Sequence, residues 1–258
     1  MMDAECGQAG SSERVAWGLW ATVGFSCVIA LVYVFIQVIL VAAFAAPALI
    51  RNPDLKIDQF AKGLESNGFF LAIATCATAP FVIGLTVLFA KVRKSVTVGE
   101  YLCLRRPGWK ELCKWSLAVL LFAASWDTLT FLLDRPVVPE FMVRAYTTAY
   151  LTPLLWFVLV VVAPLSEEIF FRGFLFRGIE HSRLGTVGAV VITSLAWAVL
   201  HYQYDAYGMA SIFAGGLLLG FARLKSNSIY PPVVMHALQN IMGTIEVVVY
   251  LRIVSPGA

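Results

Sequence analysis

The chain has 258 residues, of which 60% are hydrophobic and 14% charged, and its formal net charge is +3. Its mean hydropathy is +0.80. Soluble domains carry about a quarter charged residues, and a chain of this length has too much surface to hide so much apolar area from water. No basic stripe with interleaved aromatic residues indicates nucleic-acid binding. The composition therefore excludes an ordinary soluble domain and favours a protein dissolved in the lipid bilayer, without a nucleic-acid partner.

Seven apolar runs follow one another along the chain. They lie at about 15–50, 68–90, 115–133, 151–176, 186–201, 207–222 and 229–251. The first is far longer than the apolar part of a signal peptide, about 7–15 residues, so we expect a first membrane span and no cleaved signal. The runs predict an all-α, polytopic transmembrane bundle of about seven helices, with a short amphipathic interfacial helix within 135–150.

The basic residues are distributed unequally between the two faces that seven spans would create. One face would carry 13 of the 19 Lys and Arg residues, and the other 6. The richer face collects 1–14, 91–114, 172–185 and 223–228, and the poorer one collects 51–66, 134–150, 202–206 and the C-terminus. Because basic loops stay in the cytoplasm, this count predicts a cytoplasmic N-terminus and a C-terminus on the far side. The protein would be a multi-pass integral membrane protein, in the cell membrane if the source is bacterial.

The fourth apolar run contains charged residues, which are costly in a membrane and therefore mark functional sites. Glu168 and Arg172 are four apart and can pair on one helix face. Glu167 lies about 100° round the helix from Glu168 and can face a cavity instead. Pro164, three residues earlier, removes a backbone hydrogen bond and is expected to kink the helix there. A helix-end ion network remains the structural alternative for this motif.

Two further polar motifs lie in later runs. His201 ends the fifth run and shares a helix face with Trp197, and His236 and Asn240 share a face in the seventh. With Glu167 they supply the groups for peptide hydrolysis by water: a carboxylate base, imidazoles and an amide donor. A histidine at the end of a span is also common as a packing residue.

No serine or cysteine nucleophile is evident, because the chain has neither a G-x-S-x-G elbow nor a cysteine near a histidine in sequence. The H-E-x-x-H zinc signature is absent as well. No cofactor is expected from the residues, although a divalent metal such as zinc, held by histidines and a glutamate, stays chemically open.

Taken in order, these motifs resemble the CPBP intramembrane proteases, also called the CAAX prenyl endopeptidase or ABI family. The resemblance covers about residues 160–245 and rests on E-E-x-x-x-R, aromatic-x-x-x-H and H-x-x-x-N motifs. It implies that Glu167 is the general base, that His201 assists, and that His236 and Asn240 form the oxyanion site. Glu168 and Arg172 would be supporting residues. Trp197 stands where the family usually has phenylalanine, and we expect its aromatic role to persist.

Straight helices would place His201 and His236 at different depths in the membrane. A break between helices at 201–208, lining a water-filled pocket, would remove this difficulty, with Asp205 behind the site; an ordinary short loop is the alternative. Asp127 and Glu246 are also charged residues in apolar runs, with no partner evident and no predicted catalytic role.

These observations lead to one functional hypothesis with two rivals. We predict one membrane domain, with N-terminal helices over 1–150 and a catalytic core over 151–258, on the last four helices. The expected reaction is hydrolysis of a peptide bond near the C-terminus of a membrane-associated substrate, and the resemblance implies prenylated CAAX tails first. The rivals are a non-catalytic scaffold or bacteriocin-immunity-type binding protein, and a proton-coupled transporter, which would be expected to show inverted repeats that are not found.

Overall fold

The structure is a computed structural model that describes residues 16–254. Every regular element within that range is a helix. The helices are α1 (Leu19–Arg51), α2 (Ile57–Glu65), α3 (Gly68–Val92), α4 (Val98–Tyr101), α5 (Trp109–Leu132), α6 (Glu140–Thr147), α7 (Thr152–Glu180), α8 (Gly185–Val199), α9 (Ala206–Ser226) and α10 (Tyr230–Val254). The predicted all-α fold is confirmed.

Six helices within this range are long and apolar enough to cross a membrane, namely α1, α3, α5, α7, α9 and α10. The protein is therefore a multi-pass integral membrane protein. The predicted fifth span, 186–201, is the exception, because its helix α8 has only 15 residues. At 1.5 Å per residue α8 extends about 22 Å, less than the roughly 30 Å hydrocarbon core. The predicted run has 16 residues and the helix 15, so the sequence located this helix, but neither is long enough for a full span.

Contacts between loops define the two faces of the bundle. On one face, Arg135 after α5 pairs with Asp205 after α8. On the other, the backbone N–H of Ile229, between α9 and α10, donates to the carbonyl of Cys103 after α4. We call the first, formed by 133–139 and 200–205, the loop-135 face, and the second, formed by 102–108 and 227–229, the loop-103 face. Helix α8 follows the end of α7 and ends at the loop-135 face, so it runs toward that face despite its length.

Helices that run alternately between the two faces place the loops in the same two groups that were used to count the basic residues. The segment 1–14, which carries part of that count, lies outside the described residues, as does the end of the chain beyond 254. The cytoplasmic location of the N-terminus remains a prediction.

The predicted interfacial helix within 135–150 is α6, and it packs closely on the start of α3. The backbone N–H of Gly68 donates to Thr148 Oγ1 at 2.8 Å. A Cβ atom on Gly68 would lie 1.8 Å from the carbonyl oxygen of Ala145. Only glycine therefore permits this approach, which fixes α6 beside the end of α5 and over the interior of the bundle.

Helix α7 is widened by two π-helical segments, Val158–Val162 and Ile169–Leu175. The first directly precedes Pro164, which cannot donate a backbone hydrogen bond and whose ring crowds the carbonyl four residues earlier. A wider turn relieves both problems, and such turns are frequent at functional sites. The regular turn between the two segments, Ala163–Glu168, carries the two adjacent glutamates.

Candidate active site

A cavity of about 760 Å³ lies inside the bundle and reaches the loop-135 face. Five of the seven predicted site residues line it: Glu167, Trp197, His201, His236 and Asn240. Glu168 and Arg172 lie behind this lining and are fully buried, with no side-chain exposure. Side chains from α7, the end of α8 and α10, separated by up to about 70 residues of sequence, thus converge on one space.

Glu167 is held at the cavity wall by Trp197. The indole Nε1–H donates to Glu167 Oε2 at 2.6 Å, and the glutamate side chain is 30% exposed. His236 Nε2 lies 4.0 Å from the same oxygen. That distance is too long for a direct hydrogen bond, so Glu167 keeps an accessible carboxylate next to an imidazole nitrogen.

The indole N–H of Trp197 gives tryptophan a function at this position that phenylalanine could not fulfil. Phenylalanine has no N–H group, so the hydrogen bond to Glu167 depends on tryptophan. The rings of His201 and His236 each lie 5.1 Å from the Trp197 ring, both edge-on. Trp197 thus packs between two histidines while it orients the carboxylate, a role that the sequence pattern did not predict.

His236 is oriented from behind by Glu168. His236 Nδ1 lies 2.9 Å from Glu168 Oε1. Because a carboxylate oxygen accepts, Nδ1 carries the hydrogen, and the lone pair or second proton of the ring is at Nε2, toward Glu167. Arg172 Nη1 donates to the same Glu168 oxygen at 3.0 Å. The buried charge of Glu168 is therefore shared between an arginine and the histidine that it orients.

Arg172 is itself enclosed by several partners. Its guanidinium lies 4.8 Å from the centre of the Trp197 ring and donates to the carbonyl of Gly216 at 3.4 Å. The Nε–H of Arg223 donates to the backbone carbonyl of Arg172 at 2.9 Å, within the second π-helical segment. These contacts fix the helix turn that follows the two glutamates.

His201 and His236 line the same cavity and both contact the Trp197 ring, so the separation expected from straight helices does not keep them apart. His201 follows the end of α8 in a turn, and its Nδ1 lies 2.8 Å from the carbonyl of Trp197. A carbonyl can only accept, so Nδ1 donates and Nε2 is left unprotonated in the neutral ring. The turn after α8 thus carries His201 to the cavity at the loop-135 face.

Asn240 binds the backbone of α7. Its Nδ2 donates to the carbonyl of Leu159 at 2.6 Å, inside the first π-helical segment. An amide nitrogen carries two hydrogens, so one remains for another acceptor in the cavity. Asn240 therefore stabilises the widened turn in addition to lining the cavity.

The comparisons with known proteins agree with this geometry. Residues 148–242 match the Rce1-like family of type II CAAX prenyl endopeptidases. This match confirms the predicted family resemblance. A protein described as an uncharacterized 24.3 kDa protein of Escherichia coli is 32% identical over 85 residues, covering 32% of this chain and 39% of that protein. The chain thus matches well under half the length of this relative. No solved structure matches the chain.

The side chains of the described residues do not form a zinc site. Within 16–254, no group of three or more His, Cys, Asp or Glu side chains is placed to hold a metal ion. A catalytic zinc ion takes three protein ligands. The described residues bring together no such set of three, so their donor groups do not fit a zinc ion.

The segment 201–208 lines the cavity through five residues besides His201. These are Gln203, Tyr204, Asp205, Tyr207 and Gly208. Burial raises the pKa of Tyr204 to about 12, so its phenol keeps its proton across the neutral range. Asp205 caps α9, since its Oδ1 accepts from the N–H of Gly208 at 2.8 Å. It also pairs with Arg135, so it lies at the cavity mouth.

Asp127 and Glu246, for which the sequence indicated no partner, are partners of each other. The two carboxyl groups lie close enough to interact across α5 and α10. Asp127 also lines the cavity. Sequence reasoning missed this pair because the two residues are far apart in the chain, and it missed Arg135 because an arginine in a loop gives no distinctive signal.

Proposed function

We propose that this protein is an intramembrane endopeptidase that hydrolyses a peptide bond near the C-terminus of a membrane-associated substrate, using water activated by Glu167. The observation that carries the proposal is the position of Glu167 Oε2, 2.6 Å from the Trp197 indole nitrogen and 4.0 Å from His236 Nε2. A base and an imidazole thus face the same space in a cavity large enough for a peptide segment.

The chemistry follows from the donors and acceptors around that space. Glu167 takes a proton from water while the water oxygen bonds to the scissile carbonyl carbon, and the carbonyl electrons move to its oxygen. His201 Nε2, unprotonated in the neutral ring, accepts the second hydrogen of the water and orients it. The protonated Glu167 then gives its proton to the leaving nitrogen as the carbon–nitrogen bond breaks.

The negative charge on the carbonyl oxygen needs donors while the intermediate exists. The remaining hydrogen of the Asn240 amide is one donor. His236 supplies the second from Nε2 when its ring is protonated, and Glu168 stabilises that ring through Nδ1, as a buried carboxylate does for a catalytic histidine. Arg172 balances the charge of Glu168, so these two residues position the site without touching the substrate.

We propose the same division of the chain as the sequence suggested, with the chemistry on α7–α10 within 151–258. The helices within 1–150 would complete the enclosure, since Leu71, Trp126 and Asp127 also line the cavity. The substrate would be a peptide or a prenylated protein tail presented in the bilayer. The identity of that substrate rests on the Rce1-like match of residues 148–242.

The test is cleavage of a quenched peptide library, with and without prenyl groups, by purified protein in detergent. Wild type is compared with Glu167→Gln and His236→Ala, and Glu111→Gln, on the opposite face, is the matched control. We expect cleavage by wild type and the control, and none by the other two, in the presence or absence of a chelator.

Two results would overturn the proposal in different ways. Equal cleavage by wild type and Glu167→Gln would remove the assigned base. Loss of cleavage with a chelator and its recovery with zinc would replace the water-activating carboxylate by a metal. If no peptide of the library is cleaved, the non-catalytic binding protein is the better description.

A further inference from the structure

The side chains that line the cavity include more negatively charged groups than positively charged ones. Among the residues that the structure describes, its lining contains four carboxylates and a single Lys or Arg side chain. The carboxylates belong to Asp127, Glu140, Glu167 and Asp205, and the cation is Arg135. An anionic group that enters this cavity therefore meets repulsion everywhere except beside Arg135 and any protonated histidine.

Arg135 is held at the mouth by contacts that leave most of its donors accessible. Its guanidinium lies 4.6 Å from the centre of the Tyr207 ring. The Tyr207 hydroxyl is 2.8 Å from Thr130 Oγ1, which fixes the ring, and the backbone N–H of Arg135 donates to the carbonyl of Thr130 at 3.1 Å. The guanidinium is thus oriented from both its backbone and its flat side, while 41% of the side chain is exposed.

The partner of Arg135 is a weak competitor. Asp205 is 61% exposed and uses Oδ1 for the cap of α9, so only Oδ2 faces the guanidinium. Exposed ion pairs contribute little, about 0–1 kcal/mol. A guanidinium has five N–H donors in a planar fork that matches a carboxylate. A second carboxylate can therefore bind beside or in place of Asp205.

We propose that Arg135 binds the α-carboxylate at the C-terminus of the peptide substrate, an inference that rests on the proposed function. The nearby Glu140 does not offset this site, because it pairs with Arg144 on α6 at 2.6 Å. Asp127 lies on α5, beside Glu246 of α10. Arg135 is then the group that distinguishes a free chain end from an internal segment.

This site would set which bond is cut. With the terminal carboxylate at Arg135 and the scissile bond at Glu167, the number of residues between them is fixed by the span of the cavity. An extended peptide advances about 3.3–3.6 Å per residue. The enzyme would then release a short peptide of constant length, and it would discriminate against substrates whose C-terminus is amidated or extended.

The test measures binding, so that it does not depend on cleavage. In the Glu167→Gln background, fluorescent peptides of one sequence with a free C-terminal carboxylate or a C-terminal amide are titrated against the purified protein in neutral lipid nanodiscs. We expect the acid to bind about tenfold more tightly than the amide, which corresponds to about 1.4 kcal/mol. Added Arg135→Gln should remove this preference by weakening the acid alone.

Arg51→Gln is the matched control, since Arg51 is an exposed arginine at the end of α1 that does not line the cavity. It should leave the preference unchanged. Equal binding of acid and amide, no measurable binding of the acid, or an equal loss with Arg51→Gln would overturn the carboxylate site. So would a parallel weakening of both peptides by Arg135→Gln, which would indicate a structural role.

Cleavage by wild type separates this inference from the proposed function. If wild type cleaves the acid and the amide equally and Glu167→Gln cleaves neither, the endopeptidase stands and the carboxylate site is wrong. If the acid preference depends on Arg135 but no peptide is cleaved, the binding site stands and the proposed reaction is wrong.

Discussion

Replacing Glu168 by glutamine tests the buried charge network that supports the site. Glu168 Oε1 accepts from Arg172 at 3.0 Å and from His236 at 2.9 Å, and both Glu168 and Arg172 have no exposed side-chain surface. Glutamine keeps the shape and one acceptor oxygen but leaves the charge of Arg172 unbalanced. Removing one partner of a buried ion pair costs about 3–5 kcal/mol.

We therefore expect Glu168→Gln to lower the free energy of unfolding by about 3–5 kcal/mol and to reduce cleavage. Glu167→Gln is the matched comparison, because its side chain is 30% exposed and its amide oxygen can still accept from Trp197. It should abolish cleavage and change the unfolding free energy by less than about 1 kcal/mol. Unfolding is followed by circular dichroism in mixed detergent micelles, and kcat by the peptide assay.

A double variant makes the reasoning refutable. Glu168→Gln combined with Arg172→Met removes both charges, so much of the lost stability should return while His236 stays without its orienting carboxylate and cleavage stays low. A single Glu168→Gln variant as stable as wild type would contradict the assignment of a buried ion pair. So would a double variant that is less stable than Glu168→Gln alone.

Three further predictions concern other parts of the structure. Gly68→Ala should destabilise the protein by about 1–3 kcal/mol, because the added Cβ would overlap the carbonyl of Ala145. Gly84→Ala, whose added carbon has no atom within 4 Å, should leave the stability unchanged. Unfolding in micelles measures both variants, and equal effects would contradict the close packing at Gly68. Asn240→Ala should lower kcat about 100-fold with little change in KM, and an effect on KM alone would contradict an oxyanion role. Asp205→Asn keeps the helix cap but removes the negative charge that competes for Arg135 at the cavity mouth. The peptide with a free carboxylate should then bind more tightly than it does to wild type, and the amidated peptide should bind as it does to wild type. Fluorescence titration measures both, and weaker binding of the free acid would contradict a competition between Asp205 and the carboxylate.

That these polar residues share one cavity was predictable because helical spacing is a local property. A separation of four residues places His236 and Asn240 on one face of any α-helix, and charged residues in apolar runs are rare enough to draw attention. The order of the motifs then indicated that the helices meet. The division of roles between Glu167 and Glu168 also followed from their angle on the helix, because one faces the cavity and the other the buried arginine.

What the sequence did not predict depends on how distant segments pack. Trp197 was expected to pack as an aromatic residue, yet its N–H binds Glu167, which depends on the approach of α8 to α7. Pro164 indicated a kink, but a π-helical segment and the bond from Asn240 that stabilises it depend on α10. The length of α8 was predicted to within one residue, and only its count as a full span differs from the structure.

Under the proposed function, the opening of the cavity on the loop-135 face has a consequence for when a substrate is cut. That face carries the minority of the basic residues, 6 of 19, and the positive-inside rule predicts that it faces away from the cytoplasm. A substrate tail would then reach the site only after it has crossed the bilayer. Processing would be a late event in export, and a chain end retained in the cytosol would escape cutting even if it carried the right sequence.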